Sequence, residues 1–214
     1  MDSSEDPDIY YSLPLTAPVE LKVKRSRFIA RGFPAVNSSS IRNTVNELSR
    51  QEYKANHNCW AARLLTADEP FNDDGEPSGT AGIPILQVLR GARLQNSLVV
   101  VTRFFGGIKL GSGGLARAYG ESTRLLLQSV TPLPNLLTDE IILHCAWNHK
   151  KTVYHLLGQY AVEVLTDSSQ EEMRMRLQVR HSRLPHLQEE LITALRGQVT
   201  FTVPSSPEQP GEPC

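Results

Sequence analysis

Leu98-Val99-Val100-Val101 is the most apolar run in this chain, and what surrounds it narrows the architecture. A continuous β-branched run, with no polar alternation, belongs to a strand buried on both faces. It leads through Phe104 and Phe105 into Gly106-Gly107-Ile108-Lys109-Leu110-Gly111-Ser112-Gly113-Gly114, and then into a helical pattern over about 115–129. Leu115, Ala118, Tyr119, Ser122 and Leu126 form the buried stripe of that helix, and Arg117, Glu121, Arg124 and Gln128 its wet one. A doubly buried strand, a glycine loop and an amphipathic helix in series mix strand and helix within one short stretch.

Charge is divided sharply around the same stretch. Asp68, Glu69, Asp73, Asp74 and Glu76 crowd its start, whereas 77–120 holds no carboxylate and five cations: Arg90, Arg93, Arg103, Lys109 and Arg117. Glycines let backbone N–H groups approach a ligand, and a helix start presents unpaired donors. Lys109 adds a mobile positive charge, and Arg117 sits early in its helix, where a cation opposes the dipole unless an anion lies there too. The residues read as an anion or nucleic-acid face are therefore His57, Arg103, Gly106, Gly107, Lys109, Gly111, Ser112, Gly113 and Arg117. The loop is no Walker motif, because Lys109 precedes Gly111 by two residues. Gly111 to Ala116 match a relaxed dinucleotide fingerprint but lie far from the strand and lack the following acidic residue. The alternative is a glycine turn shaped by packing alone.

Secondary candidates are Asp73, Asp74, Glu76, Ser78 and Thr80. The three carboxylates around Gly75 are suited to a hard cation, but their spacing is not that of a calcium loop. A solvated acidic turn ahead of a helix capped by Thr80 is the simpler expectation, with no metal and no cofactor. His57 and Cys59 project to one face of a strand over 58–65, yet no third group orients them for nucleophilic chemistry. Cys59 reads as a core thiol and His57 as a ligand contact.

Four segments emerge in chain order. Residues 1–16 are an acidic, proline-containing lead-in, expected to be flexible apart from one tethering strand. Residues 17–134 form a first domain, with strands near 19–24 and 28–34 and a helix capped within Ser38–Ser40 on the stripe Ile41, Val45, Leu48. Pro132 and Pro134 stop the 115–129 helix and mark a linker over 131–135. The pattern then resets over 138–204: strand 139–146, helix 148–157, strands 160–166 and 172–180, helix 184–195, strand 198–203. Two βαβ units in series read as a ferredoxin-like βαββαβ domain. Met173, Met175, Leu177 and Val179 point inward, while Arg174, Arg176 and Arg180 form an outer face partly balanced by Glu163. Residues 205–214, SSPEQPGEPC, are expected to be a disordered tail. With 22 basic and 23 acidic residues, global charge says nothing for nucleic acid. Three scattered cysteines, an acidic N-terminus without an apolar core and no bilayer-length apolar run lead to the expectation of a cytoplasmic protein without membrane contact.

The segments His57-Asn58-Cys59-Trp60-Ala61, Asp73 to Gly82, Pro84-Ile85-Leu86, Val99 to Gly111 and Gly113 to Gly120 resemble, in order, the signature of the Impact/YigZ family. The likeness covers about 17–130, and the remainder resembles the family's bacterial two-domain form. Phe105 and Ser112 stand where relatives often carry Tyr and Ala. The resemblance implies an α+β fold, with a first domain like elongation factor G domain IV and a ferredoxin-like second domain similar to its domain V. The expectation for function is a non-catalytic, translation-associated factor that binds RNA or the ribosome through the basic glycine-loop face, compatible with a monomer. The alternatives are an enzyme acting on a phosphorylated small molecule and a protein-interaction module.

Overall fold

The computed structural model describes residues 6–204, so the expected tail over 205–214 lies outside the described residues. The chain divides into two units, one of residues 10–135 and one that joins the N-terminal residues up to Ile9 with those from Leu136 onward. In chain order the elements are β1 (Ile9–Ser12), β2 (Val19–Val23), β3 (Ser26–Pro34), α1 (Ser38–Gln51), β4 (His57–Arg63), β5 (Phe71–Asn72), α2 (Gly82–Gly91), β6 (Ser97–Phe104), α3 (Ser112–Gln128) and β7 (Leu133–Leu136). There follow β8 (Thr138–Ala146), α4 (Lys150–Gln159), β9 (Glu163–Asp167), β10 (Glu172–Arg180), α5 (Leu184–Ala194) and β11 (Val199–Thr202). Among the described residues no helix is long and apolar enough to cross a membrane.

In the first unit five strands form an antiparallel sheet in the order β2-β3-β6-β4-β5. β6 lies at the centre, and its run from Ser97 to Arg103 is buried throughout. Side chains alternate across a strand, which separates two cores. Val99 and Val101 pack with Cys59, Ala61, Ile85, Leu89, Leu115 and Tyr119 under α2 and α3. Leu98 and Val100 pack with Ile41, Leu48 and Ala62 under α1. The apolar run is doubly buried because helices cover both faces of its sheet.

Several local expectations shift. The cap of α1 is Asn37: its side chain accepts from the Ser40 N–H at 2.8 Å, and the Ser40 hydroxyl accepts from the Asn37 N–H at 3.2 Å. α3 begins at Ser112, so Ser112, Gly113 and Gly114 are its first turn rather than loop. The lead-in is held where the structure describes it. Leu13 is fully buried with its N–H on Ser97 Oγ at 2.9 Å, and the Thr16 N–H donates to the Gly32 carbonyl at 3.0 Å. The expected linker carries β7, which pairs with β1.

The second unit runs β-α-β-β-α-β, with its antiparallel strands in the order β11-β8-β10-β9. Met173, Met175, Leu177 and Val179 are buried against α4 and α5, as their alternation requires. The arginines on the opposite face are balanced differently from expectation. Arg176 binds Glu140 on β8 at 2.8 Å and Arg180 binds Asp6 at 2.5 Å, while Glu163 stands opposite Gln178.

Candidate functional site

The alternation that sends Val99 and Val101 towards α2 and α3 sends Arg103 the same way, at the end of the sheet. His57, opposite Arg103 across the β4–β6 ladder, and Cys59 share that face. A guanidinium placed there must find a partner or leave its charge unpaired in the core. The partner is Glu76. Its side chain is 4% exposed, and its Oε1 accepts from Arg103 Nη1 at 2.5 Å and from the Tyr119 hydroxyl at 2.8 Å. Among the described residues nothing donates to Oε2. The Arg103 guanidinium lies 5.4 Å from the centroids of both Phe28 and Phe105, and its buried Nε has no hydrogen-bond partner. Burial pushes the Tyr119 hydroxyl far up, so it stays protonated and donates. Arg103 is therefore not part of an exposed basic face, contrary to the expectation: its charge is spent inside the protein on Glu76.

The acidic turn is built onto β4. Asp74 and Gly75 carry φ of 43° and 83°, a conformation an Asp-Gly pair adopts readily in a tight turn, and Glu76 N–H closes it on the Asp73 carbonyl at 2.9 Å. Asp74 Oδ2 accepts from the Asn58 N–H at 2.6 Å. Its carbonyl lies 2.8 Å from His57 Nδ1, and a carbonyl only accepts, so Nδ1 carries a proton. His57 Nε2 then faces Glu76 Oε1 across 3.9 Å. Cys59 lies 3.0 Å from the Asp73 carbonyl and 3.2 Å from Tyr119, and burial pushes its thiol well above the usual range. His57 and Cys59 share a face but bond elsewhere, which leaves Cys59 an inert core thiol.

Thr80 does not cap α2, since its hydroxyl turns back to the Pro77 carbonyl at 2.6 Å. Asp73 does so instead: Oδ1 accepts from the N–H groups of Ala81 and Gly82 at 2.9 and 2.8 Å, and Oδ2 from Gly79 at 2.8 Å. Ser78 is exposed. Asp73 and Asp74 thus fasten backbone and Glu76 neutralises an arginine, in a turn that stays exposed at Asp74, Gly75, Pro77 and Ser78. Among the described residues no three His, Cys, Asp or Glu side chains are grouped to hold a metal ion.

The glycines fall into different classes. A Cβ at Gly106 would stand 2.1 Å from the backbone C and O of Arg25, so that glycine exists for close approach to the β2–β3 turn. Gly107 and Gly111 have φ of 84° and 72°. A Cβ at Gly113 would meet nothing within 4 Å, and no side chain caps α3. Lys109 and Arg117 are exposed; Arg117 Nε donates to the Gly113 carbonyl at 3.2 Å. Phe105 and Ile108, in the same loop as Lys109, are exposed as well. The backbone contact at Gly106 also brings Lys24 and Arg25, both exposed, into the neighbourhood, and no local pattern marks these two as part of the face.

Residues 24–127 match the family model of the Impact N-terminal domain. YigZ of Escherichia coli (strain K12), an IMPACT family member, is 30% identical over 189 residues, an alignment covering 86% of this chain and 93% of YigZ. The chain belongs to the IMPACT family. Another member of the IMPACT family, YvyE of Bacillus subtilis (strain 168), is 43% identical over 115 residues, which is 53% of each chain. This chain therefore matches about half the length of YvyE and nearly all of YigZ. One solved structure, the crystal structure of an hypothetical protein, aligns with a TM-score of 0.67 and 26% identity, covering 94% of this chain and 99% of the other. Every candidate site residue lies inside the span matched to the IMPACT family model.

The Asp73 cap makes a pH prediction for this IMPACT family chain. Desolvation works to raise the Asp73 pKa, but the N–H groups of Gly79, Gly82 and Ala81 outweigh it and hold the carboxyl below its ordinary 3.8. With the folded value below the unfolded one, the stabilisation is complete above the unfolded value and is lost as pH falls through the folded one. Asp73→Ala is expected to cost about 1–2 kcal/mol at neutral pH. Urea unfolding of both proteins at a series of pH values should show the difference shrinking below about pH 4. A gap that stays constant into that range would mean the carboxylate is not the capping species.

Proposed function

We propose that this chain is a translation-associated factor that binds RNA, free or within the ribosome, through the glycine-loop face of its first unit. The observation that carries the reading is the exposed ring of Phe105, 44% accessible, in a loop that also carries Lys109 and whose Gly106 lies against the Arg25 backbone. Lys24, Arg25 and Lys109 have no partner among the described residues, and Arg117 uses only its Nε, on a backbone carbonyl. An aromatic face for stacking beside unneutralised cations is how single-stranded nucleic acid is held without strong sequence preference. The start of α3 adds backbone donors for phosphate oxygens. Arg103 contributes indirectly by supporting Phe105 from within.

The test is binding of labelled single-stranded RNA at two salt concentrations. Lys109→Ala/Arg117→Ala should lower the salt slope by about 1.4, at roughly 0.7 for each phosphate no longer neutralised. Phe105→Ala should weaken binding by about 1–3 kcal/mol with little change in slope. Equal binding by all three proteins, or none by any, would return the loop to a packing role.

The enzyme reading has one observation in its favour: with Nδ1 bonded to the Asp74 carbonyl, His57 turns its other ring nitrogen, Nε2, towards Glu76 Oε1 at 3.9 Å. Against it, the 700 Å³ groove of this unit lies between α2 and α3 and none of His57, Glu76, Arg103 or Lys109 lines it. The architecture is read more finely on the same footing. The strand order of the second unit supports a ferredoxin-like domain, and the two-faced sheet of the first is compatible with the elongation factor G domain IV likeness. The two units are proposed to be independently folding domains in the cytoplasm, because each has its own buried core. Residues 10–135 expressed alone should then unfold in one cooperative transition. A non-cooperative melt would reject that division.

A further inference from the structure

α2 and α3 cover the same face of the sheet and leave a groove of about 700 Å³ between their outer edges. Pro84, Val88, Ala116, Gly120 and Leu127 make its floor apolar and shallow. Arg117 and Arg124, both exposed, stand on its α3 side. They are seven residues apart on one helix, so they share a face about 10.5 Å apart along the axis. Among the described residues both terminal nitrogens of Arg117 are free, and Arg124 holds an exposed pair with Glu121 at 2.7 Å, the kind that exchanges readily.

Two glycines on these helices differ in their surroundings. A Cβ at Gly91 would meet nothing within 4 Å, and at Gly120 only ordinary contacts with Arg124 at 3.6 Å and Pro84 at 3.9 Å. Both line the groove. Gly91, exposed at the end of α2, leaves room for a second chain to lie close against the backbone, whereas Gly120 is buried in the middle of α3 against Pro84. The lining residues themselves include two arginines and no carboxylate, although Glu121 lies against Arg124.

We infer that this groove docks an acidic amphipathic helix of a partner protein. Its small and apolar side chains would lie on the floor and two carboxylates, two turns apart, would meet Arg117 and Arg124. RNA is the poorer occupant, because the lining offers bases no aromatic ring and the apolar floor offers phosphates nothing. The inference shares Arg117 with the RNA reading but otherwise rests on the groove, whereas that reading rests on the loop and Phe105.

The probe is a labelled helix-forming peptide with Leu and Ala on one face and Glu at positions i and i+7, compared with versions carrying Gln or Lys in place of Glu. Fluorescence anisotropy with the full chain should show the Glu peptide binding about tenfold or more tighter than the Gln peptide, and the Lys peptide not at all. Gly91→Leu, which fills open space, and Arg124→Glu, which reverses an exposed charge, should each weaken the Glu peptide about tenfold. Gly91→Leu should leave RNA binding unchanged, and Arg117→Glu/Arg124→Glu should take the Lys peptide instead. Equal affinity for the three peptides, no binding of the Glu peptide, or indifference to both single variants would overturn the proposal. So would displacement of the peptide by RNA together with loss of RNA binding in Gly91→Leu, which would give the groove to nucleic acid.

Discussion

Glu76→Ala is expected to destabilise the protein by about 3–5 kcal/mol, the usual consequence of removing one partner from a buried ion pair. Alanine would leave the Arg103 guanidinium, 5% exposed, with no carboxylate, and the Tyr119 hydroxyl with no acceptor at that position. Arg103 already carries an unpartnered Nε, so little spare hydrogen bonding is at hand to absorb the loss. Replacing both partners separates the charge effect from the packing effect. Glu76→Leu/Arg103→Met keeps the volume and removes both charges, and should recover most of the stability. Urea unfolding of the single and double variants measures this directly. A loss below about 1 kcal/mol in Glu76→Ala would show that water reaches Arg103 and that the pair is effectively a surface one. Lys109→Ala, at an exposed position, should by contrast change stability by less than about 0.5 kcal/mol.

The glycine loop offers the second large effect. Gly106→Ala would place a Cβ 2.1 Å from the Arg25 carbonyl carbon and oxygen and 2.5 Å from the Ser26 nitrogen. These are backbone atoms, which cannot rotate aside as a flexible side chain would, so the β2–β3 turn must move. A cost of about 2–3 kcal/mol is expected, at the upper end for overpacking, with loss of the Gly106 N–H to Ser26 Oγ bond at 3.2 Å. Gly113→Ala should behave in the opposite way. It has open space inside a helix, where alanine stabilises by about 0.5–1 kcal/mol. If backbone approach to phosphate matters there, Gly113→Ala should bind RNA more weakly while melting at a higher temperature. Thermal melts and RNA binding of the two variants together distinguish the packing glycine from the binding one. Equal melting temperatures for both variants would remove the distinction.

How much was legible in the amino-acid sequence depended on whether a residue's environment is set by its neighbours in the chain. The doubly buried β6, the stripe of α3 and the inward row of β10 followed from periodicity, because an element that hides one face or two must place apolar residues at fixed intervals. The proposal of a face containing Lys109, Gly111 and Gly113 also came from the sequence, as a local coincidence of glycine, positive charge and a helix start. The signature segments carried the family, since their order along the chain needs no folded structure. What could not be read was which charge meets which. Arg103 looked like one more cation until the strand's alternation was carried past Val101, which turns it inward and obliges it to find a carboxylate. That Glu76 answers it, 27 residues away, and that Asp73 rather than Thr80 caps α2, depended on how the turn over 73–76 folds back onto β4. Lys24 and Arg25 joined the candidate face only through the contact of Arg25 with Gly106, across 81 residues of chain. Periodicity reports which way a side chain faces. Only the closing of the sheet decides what it faces, because a charge is neutralised by whatever lies within a few ångströms, whatever its distance along the chain.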